Sequence, residues 1–330
     1  MESHRYEFEP ADIVRLLGWP LIPVAIFALA MQAGSRSGLW LAPRPTLDTD
    51  RTVLLHQADA CRKPNPAEVV LLGDSSCLMN VSARHLETQL KRPTLNLGTF
   101  SFLDLETQAL LLREYNRHQT RPPRAVVLLF HPETLRRLHA DSDSYYVAVL
   151  TNYWAGRDHC QLDTWSGQFA CWLGLEQFRG RLLARLPTPL PGAYGRRYGF
   201  STELERFMDR EKGSAADPES AELRGSPEYR LAATLEKASR VLRAAVPPET
   251  RLIAALTPVP ARLTGAKYSA QHGDLLRSWG AMLKADQLLT NLPASLPDEA
   301  FVRSTHLRES QIESYTERLA ASLGPALEAR

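Results

Sequence analysis

The sequence predicts an α/β protein built on a parallel sheet and preceded by a transmembrane helix. Three observations carry that expectation. Short apolar runs, Val69 to Leu72, Thr94 to Leu97, Ala125 to Phe130 and Leu252 to Leu256, alternate with longer stretches of helical spacing. Strands that are apolar along their whole length and separated by helices belong to parallel sheets covered on both faces. Before all of them stands a stretch from Leu16 to Ser35 without a single charged residue.

That stretch, bounded by Arg15 and Arg36, has 20 residues. As a helix it spans roughly 30 Å, about the thickness of the hydrocarbon layer. Pro20 and Pro23 fall near its start, and Trp19 and Trp40 bracket it like interfacial anchors. A cleaved signal peptide and a buried helix of a soluble protein are the competing readings; small residues around Ala28 to Ala30 and Ala33-Gly34 suit the former. Glu2, Glu7, Glu9 and Asp12 offset Arg5 and Arg15, whereas a signal peptide has a basic leader. Residues 1–41 therefore read as a segment with an uncleaved anchor, and the Pro-rich, polar residues 42–66 as a tether. The folded domain is expected over residues 67–330, on one side of the membrane because no second apolar stretch of that length follows.

With 44% hydrophobic and 23% charged residues the chain has the composition of an ordinary globular protein. Its 39 basic and 37 acidic residues nearly cancel, so no net field draws it to nucleic acid, and nucleic-acid binding is set aside. Cys61, Cys77, Cys160 and Cys171 form no CxxC pair, which argues against a metal site, and no cofactor is expected. Cys160 and Cys171 can either close a short disulfide loop or remain free thiols.

Helices are expected over Ser82 to Leu90 and Asp104 to Asn116, flanking the second strand. The run ending at Phe130 is followed by an insertion at about 131–219, rich in Tyr, Trp, Arg and Pro, which reads as partner or substrate contacts or as extra helical packing. Within it Thr202 and Glu205 have capping-box spacing. Helices over about Glu219 to Ala245 and Ala270 to Lys284 complete the alternation. In a last helix Ile312, Tyr315, Leu319 and Leu323 share one face, which docks on the sheet.

The first strand breaks into Gly73-Asp74-Ser75-Ser76. Such residues make ordinary turns. They also suit a strand-to-helix corner that exposes the Ser75 hydroxyl as a nucleophile, with Gly73 and Asp74 supporting the turn. Gly98 ends the next strand, where its amide, with that of Ser75, can face a developing oxyanion. His306 directly precedes the last helix and is the candidate base; its plain alternative is a helix-capping or buried histidine. Strand ends on the carboxyl edge of a parallel sheet converge, so residues over two hundred positions apart can meet there.

This arrangement resembles the SGNH (GDSL-type) hydrolase superfamily. Gly73-Asp74-Ser75-Ser76 matches its first block, Gly98 its second, and His306-Leu307 its last, from about Ala67 to the C-terminus. The resemblance implies a flavodoxin-like three-layer α/β/α sandwich and ester chemistry through an acyl-serine. An anchor, a tether and such a domain look like the SGNH-like proteins that modify envelope polysaccharides. That likeness implies a single-pass protein of the bacterial inner membrane with its main domain periplasmic. It also implies an O-acyltransferase or esterase acting on a glycan beside a membrane-bound O-acyltransferase or another envelope-biosynthesis protein. The alternative is a catalytically degenerate scaffold or polymer-binding partner of such an acyltransferase. The chain departs from the family twice. His131-Pro132-Glu133-Thr134 stands where Gly-x-Asn-Asp should supply an oxyanion donor, and Arg303 stands where an Asp should orient the histidine. Asp298, Glu299 and Glu133 are the acids expected to take over that orienting role.

Overall fold

The computed structural model describes residues 9–36, 49–100, 105–137, 143–155, 165–172, 188–218, 229–265 and 268–328. The chain divides into two compact units, residues 1–45 with 151–186 and residues 46–150 with 187–330. The first unit holds helix α1 (Pro10–Arg36). Over Pro10–Gly34, 25 residues, this helix is long and apolar enough to cross a membrane. Leu16, Trp19, Leu21, Ile26 and Leu29 are all exposed on it, which is not the pattern of a core helix. Because the helix starts at Pro10, Pro20 and Pro23 lie in its interior rather than near its start.

The second unit is built on five parallel strands: β1 (Val69–Gly73), β2 (Thr94–Asn96), β3 (Ala125–Phe130), β4 (Arg251–Leu256) and, after the two-residue β5 (Val259–Pro260), β6 (Gln287–Leu288). Their order is β2-β1-β3-β4-β6, and β5 pairs separately with β7 (Ser295–Leu296). Side chains alternate across a strand. Val69, Leu71, Val127, Leu129 and Ile253 join one core cluster with Leu86 and with Ile312, Tyr315, Leu319 and Leu323 of the C-terminal helix Glu309–Glu328. The alternate side chains Val70, Leu72, Val126 and Leu128 are also fully buried, so both faces of the sheet are covered. The last helix thus docks by the face its spacing predicts.

The second unit begins earlier than the composition suggests. Residues 49–62 do not form a tether: they form helix α2 (Thr49–Arg62), with Val53, Leu54, Leu55, Ala58 and Cys61 buried. It packs on α5 (Leu105–His118), which follows α3 (Ser75–Asn80) and α4 (Ala83–Leu90). Leu54, Ala58 and Cys61 lie one helical face apart, at i, i+4 and i+7, but the polar residues around them mask that stripe in a composition average.

Two further helices differ from their expected form. Residues 235–243 are helical, but 229–234 are not, so the long helix expected from residue 219 is shorter. The Ser201–Arg210 helix has Phe200 at its N-cap with no side-chain cap, so Thr202 and Glu205 form no capping box. Cys160 lies outside the described residues, and with it the Cys160–Cys171 pairing.

Candidate active site

Residues at the carboxyl ends of β1, β3 and β4 are tied together by one carboxylate. At Gly73 a Cβ would lie 1.9 Å from the Leu129 carbonyl oxygen, so only glycine lets β1 run this close to β3. Asp74, in extended conformation, caps α3: its Oδ1 accepts the Ser76 amide at 2.9 Å and the Ser76 hydroxyl at 2.5 Å. Its Oδ2 accepts the His131 amide at 3.0 Å, joining the end of β1 to that of β3. The Thr257 hydroxyl, just past β4, donates to Ser76 Oγ at 3.0 Å. Ser76 and Asp74 are therefore structural, and Ser75, the first residue of α3, keeps its hydroxyl free of the cap.

That hydroxyl lies 2.8 Å from His306 Nε2. The two are 231 positions apart in sequence, and α3 itself fixes the imidazole. Asn80, at the other end of α3, accepts the Leu307 amide at 2.8 Å and donates to the Thr305 carbonyl at 2.9 Å, holding the backbone on both sides of His306. Ser75 and His306 are both buried.

The carboxylate bonded to His306 is none of those expected. Asp298 accepts the Arg262 amide at 3.0 Å, Glu133 pairs with Arg136, and Glu299 is exposed on the surface. Instead Asp217 Oδ2 stands 2.5 Å from His306 Nδ1. It comes from the end of the segment expected as an insertion, and its neighbours explain its placement. Gly213, at φ +90°, passes so close to β2 that a Cβ would sit 2.0 Å from the Asn96 carbonyl oxygen. Ser214 Oγ accepts from Asn96 Nδ2 at 3.1 Å and from the Ala83 amide at 3.0 Å, and the Ala215 amide donates to Leu78 O at 3.0 Å. Tyr198 Oη accepts the Ala216 amide at 3.2 Å and donates to its carbonyl at 2.7 Å. No spacing rule ties Asp217 to His306, because every one of these bonds is tertiary. Arg303 is paired: its Nε lies 2.9 Å from the same Asp217 oxygen.

Gly98 is not a free oxyanion donor. Its amide donates to Asn96 Oδ1 at 2.8 Å, and its carbonyl accepts from Gln57 Nε2 at 2.9 Å. A Cβ there would meet the Leu78 amide nitrogen at 2.7 Å, so the glycine permits β2 to approach α3. Cys77 packs beneath the corner, its thiol pushed well up by burial and by the Asp74 charge, and so is no nucleophile. Among the described residues no group of three His, Cys, Asp or Glu side chains is arranged to hold a metal.

Two more imidazoles lie nearby. His131 caps α6 (Pro132–Arg137), its Nδ1 accepting the Glu133 amide at 3.2 Å. Burial first, then the neighbouring His306 and His272, hold its pKa down to about 3, against a slight opposing effect of the Ser304 carbonyl. Burial alone holds His272 at about 4. An alcohol bonded to an imidazole that a carboxylate orients can lose its proton as it attacks a carbonyl. No family model matches the chain, and no curated protein matches it significantly.

Proposed function

We propose that the second unit is an SGNH-like acyltransferase or esterase that works through an acyl-serine. The observation that carries this reading is the Ser75 Oγ to His306 Nε2 distance of 2.8 Å, with Asp217 on the far nitrogen of the same ring. Ser75 Oγ attacks the acyl carbonyl carbon while His306 Nε2 takes its proton. The same nitrogen returns that proton to the departing oxygen, leaving an ester on Ser75. A water or a sugar hydroxyl then attacks that ester, with His306 again accepting and returning one proton. Asp217 keeps the proton of the neutral ring on Nδ1 and stabilises the imidazolium formed in each step. The Ser75 amide, in the first turn of α3 and without an intrahelical partner, contributes to the oxyanion site.

The strand order β2-β1-β3-β4-β6 and the burial of both sheet faces support the flavodoxin-like three-layer arrangement implied by this family. The apolar helix α1 supports a membrane-anchored form; the acceptor and partner proposed with it, an envelope glycan and a membrane-bound O-acyltransferase, follow from the family resemblance alone. Labelling the whole chain with a fluorophosphonate probe tests the chemistry. Modification at Ser75, abolished in Ser75→Ala, is the expected result. An unlabelled Ser75, with co-purification of a membrane acyltransferase, would favour the degenerate scaffold instead.

A further inference from the structure

We propose that the Nε2–H of His131 is an oxyanion donor of this site, replacing the asparagine that the SGNH pattern would place after β3. The inference rests on the acyl-transfer reading above and adds a catalytic residue to it. Three observations support it. The first is position. β1 and β3 pair in register up to Gly73 and Leu129; Ser75 and His131 each lie two residues beyond that pair, at the same edge of the sheet, and Asp74 Oδ2 accepts the His131 amide at 3.0 Å. The second is tautomer. Because Nδ1 accepts the Glu133 amide at 3.2 Å, a neutral ring must carry its proton on Nε2. The third is the state of that proton: Nε2 is buried and makes no hydrogen bond of ordinary geometry, although the Ser304 backbone, two residues before His306, lies near the ring.

Buried polar groups are bonded in the great majority of cases, and a buried donor without a well-formed bond in the neighbourhood of His306 needs an explanation. A substrate carbonyl supplies one. As Ser75 attacks, the carbonyl oxygen gains negative charge, and a fixed N–H in a desolvated site stabilises it without transferring its proton. Burial keeps the ring neutral, so it presents a single donor and no competing charge that would repel the His306 imidazolium. The occupied Gly98 amide leaves this place to be filled by another group.

The test compares His131→Ser, which keeps a capping oxygen for α6 but is too short to reach the oxyanion, with His131→Gln, whose amide extends about as far as Nε2. Hydrolysis of p-nitrophenyl acetate and fluorophosphonate labelling of Ser75 are measured on the full chain, with thermal melting as the check on folding. Expected is a loss in kcat of about 10²- to 10³-fold for His131→Ser with KM little changed, the range for losing one oxyanion donor. His131→Gln should stay within about tenfold of wild type. A folded His131→Ser variant with wild-type kcat and labelling rate overturns the inference while leaving the acyl-serine intact. A wild-type chain that is not labelled at Ser75 overturns both.

A measurement on the unmutated protein guards against a variant that fails to fold. In the Ser75-phosphonylated chain a phosphoryl oxygen occupies the oxyanion position. The His131 Nε2–H proton resonance should then move downfield and exchange more slowly. An unchanged resonance rejects the assignment.

Discussion

Asp217 and His306 meet at 2.5 Å although 89 residues separate them in the chain. The carboxylate is fully buried, and its second near neighbour is the Arg303 guanidinium at 2.9 Å. Replacing it by Asn keeps the shape but can donate to Nδ1, which would leave the ring proton on the nitrogen that must accept from Ser75. In a serine protease this substitution lowers turnover roughly ten-thousand-fold. For Asp217→Asn we expect a fall in kcat of about 10³- to 10⁴-fold on an activated ester, with KM nearly constant. Less than a tenfold fall would show that another group orients His306.

Asn80 should couple stability to activity. Its side chain is the only partner described for the Leu307 amide and the Thr305 carbonyl, the peptide groups flanking His306. Asn80→Ala leaves both without a partner, at about 1–3 kcal/mol for each buried group. Urea unfolding should register a loss of about 2–6 kcal/mol, and activity should fall as His306 loses its hold against Ser75. Wild-type stability together with wild-type activity would mean that the loop is held by something else.

The contrast between Ser75 and Asp217 marks what was legible in the sequence. β1, β3, β4 and the C-terminal helix could be read because continuous apolar runs and a 3.6-residue stripe are local consequences of which face is buried. The Ser75 corner and His306 were legible for a similar reason, since each sits at the junction of two such elements. Asp217 was not, because its place depends on Tyr198, Ser214 and Gly213 each bonding a different part of the fold. Gly98 misled for a subtler reason. A strand-end glycine suggests an open amide, but the side chain of Asn96, two residues earlier, already accepts it. Helix α2 was hidden by the polar average of the residues around its buried stripe.

Acid should weaken the fold through its buried imidazoles. Burial lowers His131 to about 3 and His272 to about 4, and lowers His56 as well, although Asp209 at 3.0 Å opposes it. In the unfolded chain a histidine titrates near 6.5. Folded pKa values below that mean the unfolded state binds more protons between about pH 6.5 and 4, so stability rises with pH across this window and is lost as pH falls through it. Going from pH 7 to 5.5 should remove about 1.3 kcal/mol for each such histidine, roughly 2–3 kcal/mol for His131 and His272 together. Urea unfolding at the two pH values measures it. His272→Asn should lose about half as much of this pair's contribution, and an unchanged pH dependence would show that His272 is not held neutral.

Two glycine-to-alanine substitutions should have opposite signs. At Gly73 the new methyl would sit 1.9 Å from Leu129 O and 2.6 Å from Cys77 Cβ. Neither neighbour can swing aside, because Leu129 O belongs to the sheet and Cys77 to the buried first turn of α3. Either β1 separates from β3 or the Asp74 bridge to His131 breaks, so Gly73→Ala should cost more than about 4 kcal/mol, at the top of the range for single substitutions. At Gly273, inside the helix Tyr268–Leu283, the nearest atom is the Arg277 guanidinium at 3.3 Å, the far end of a flexible side chain. There alanine gains helix propensity without a fixed clash, and Gly273→Ala should stabilise by about 0.5–1 kcal/mol. Thermal melting of the two variants beside wild type decides the matter: equal, small shifts would mean that the corner at Ser75 has room the backbone distances deny.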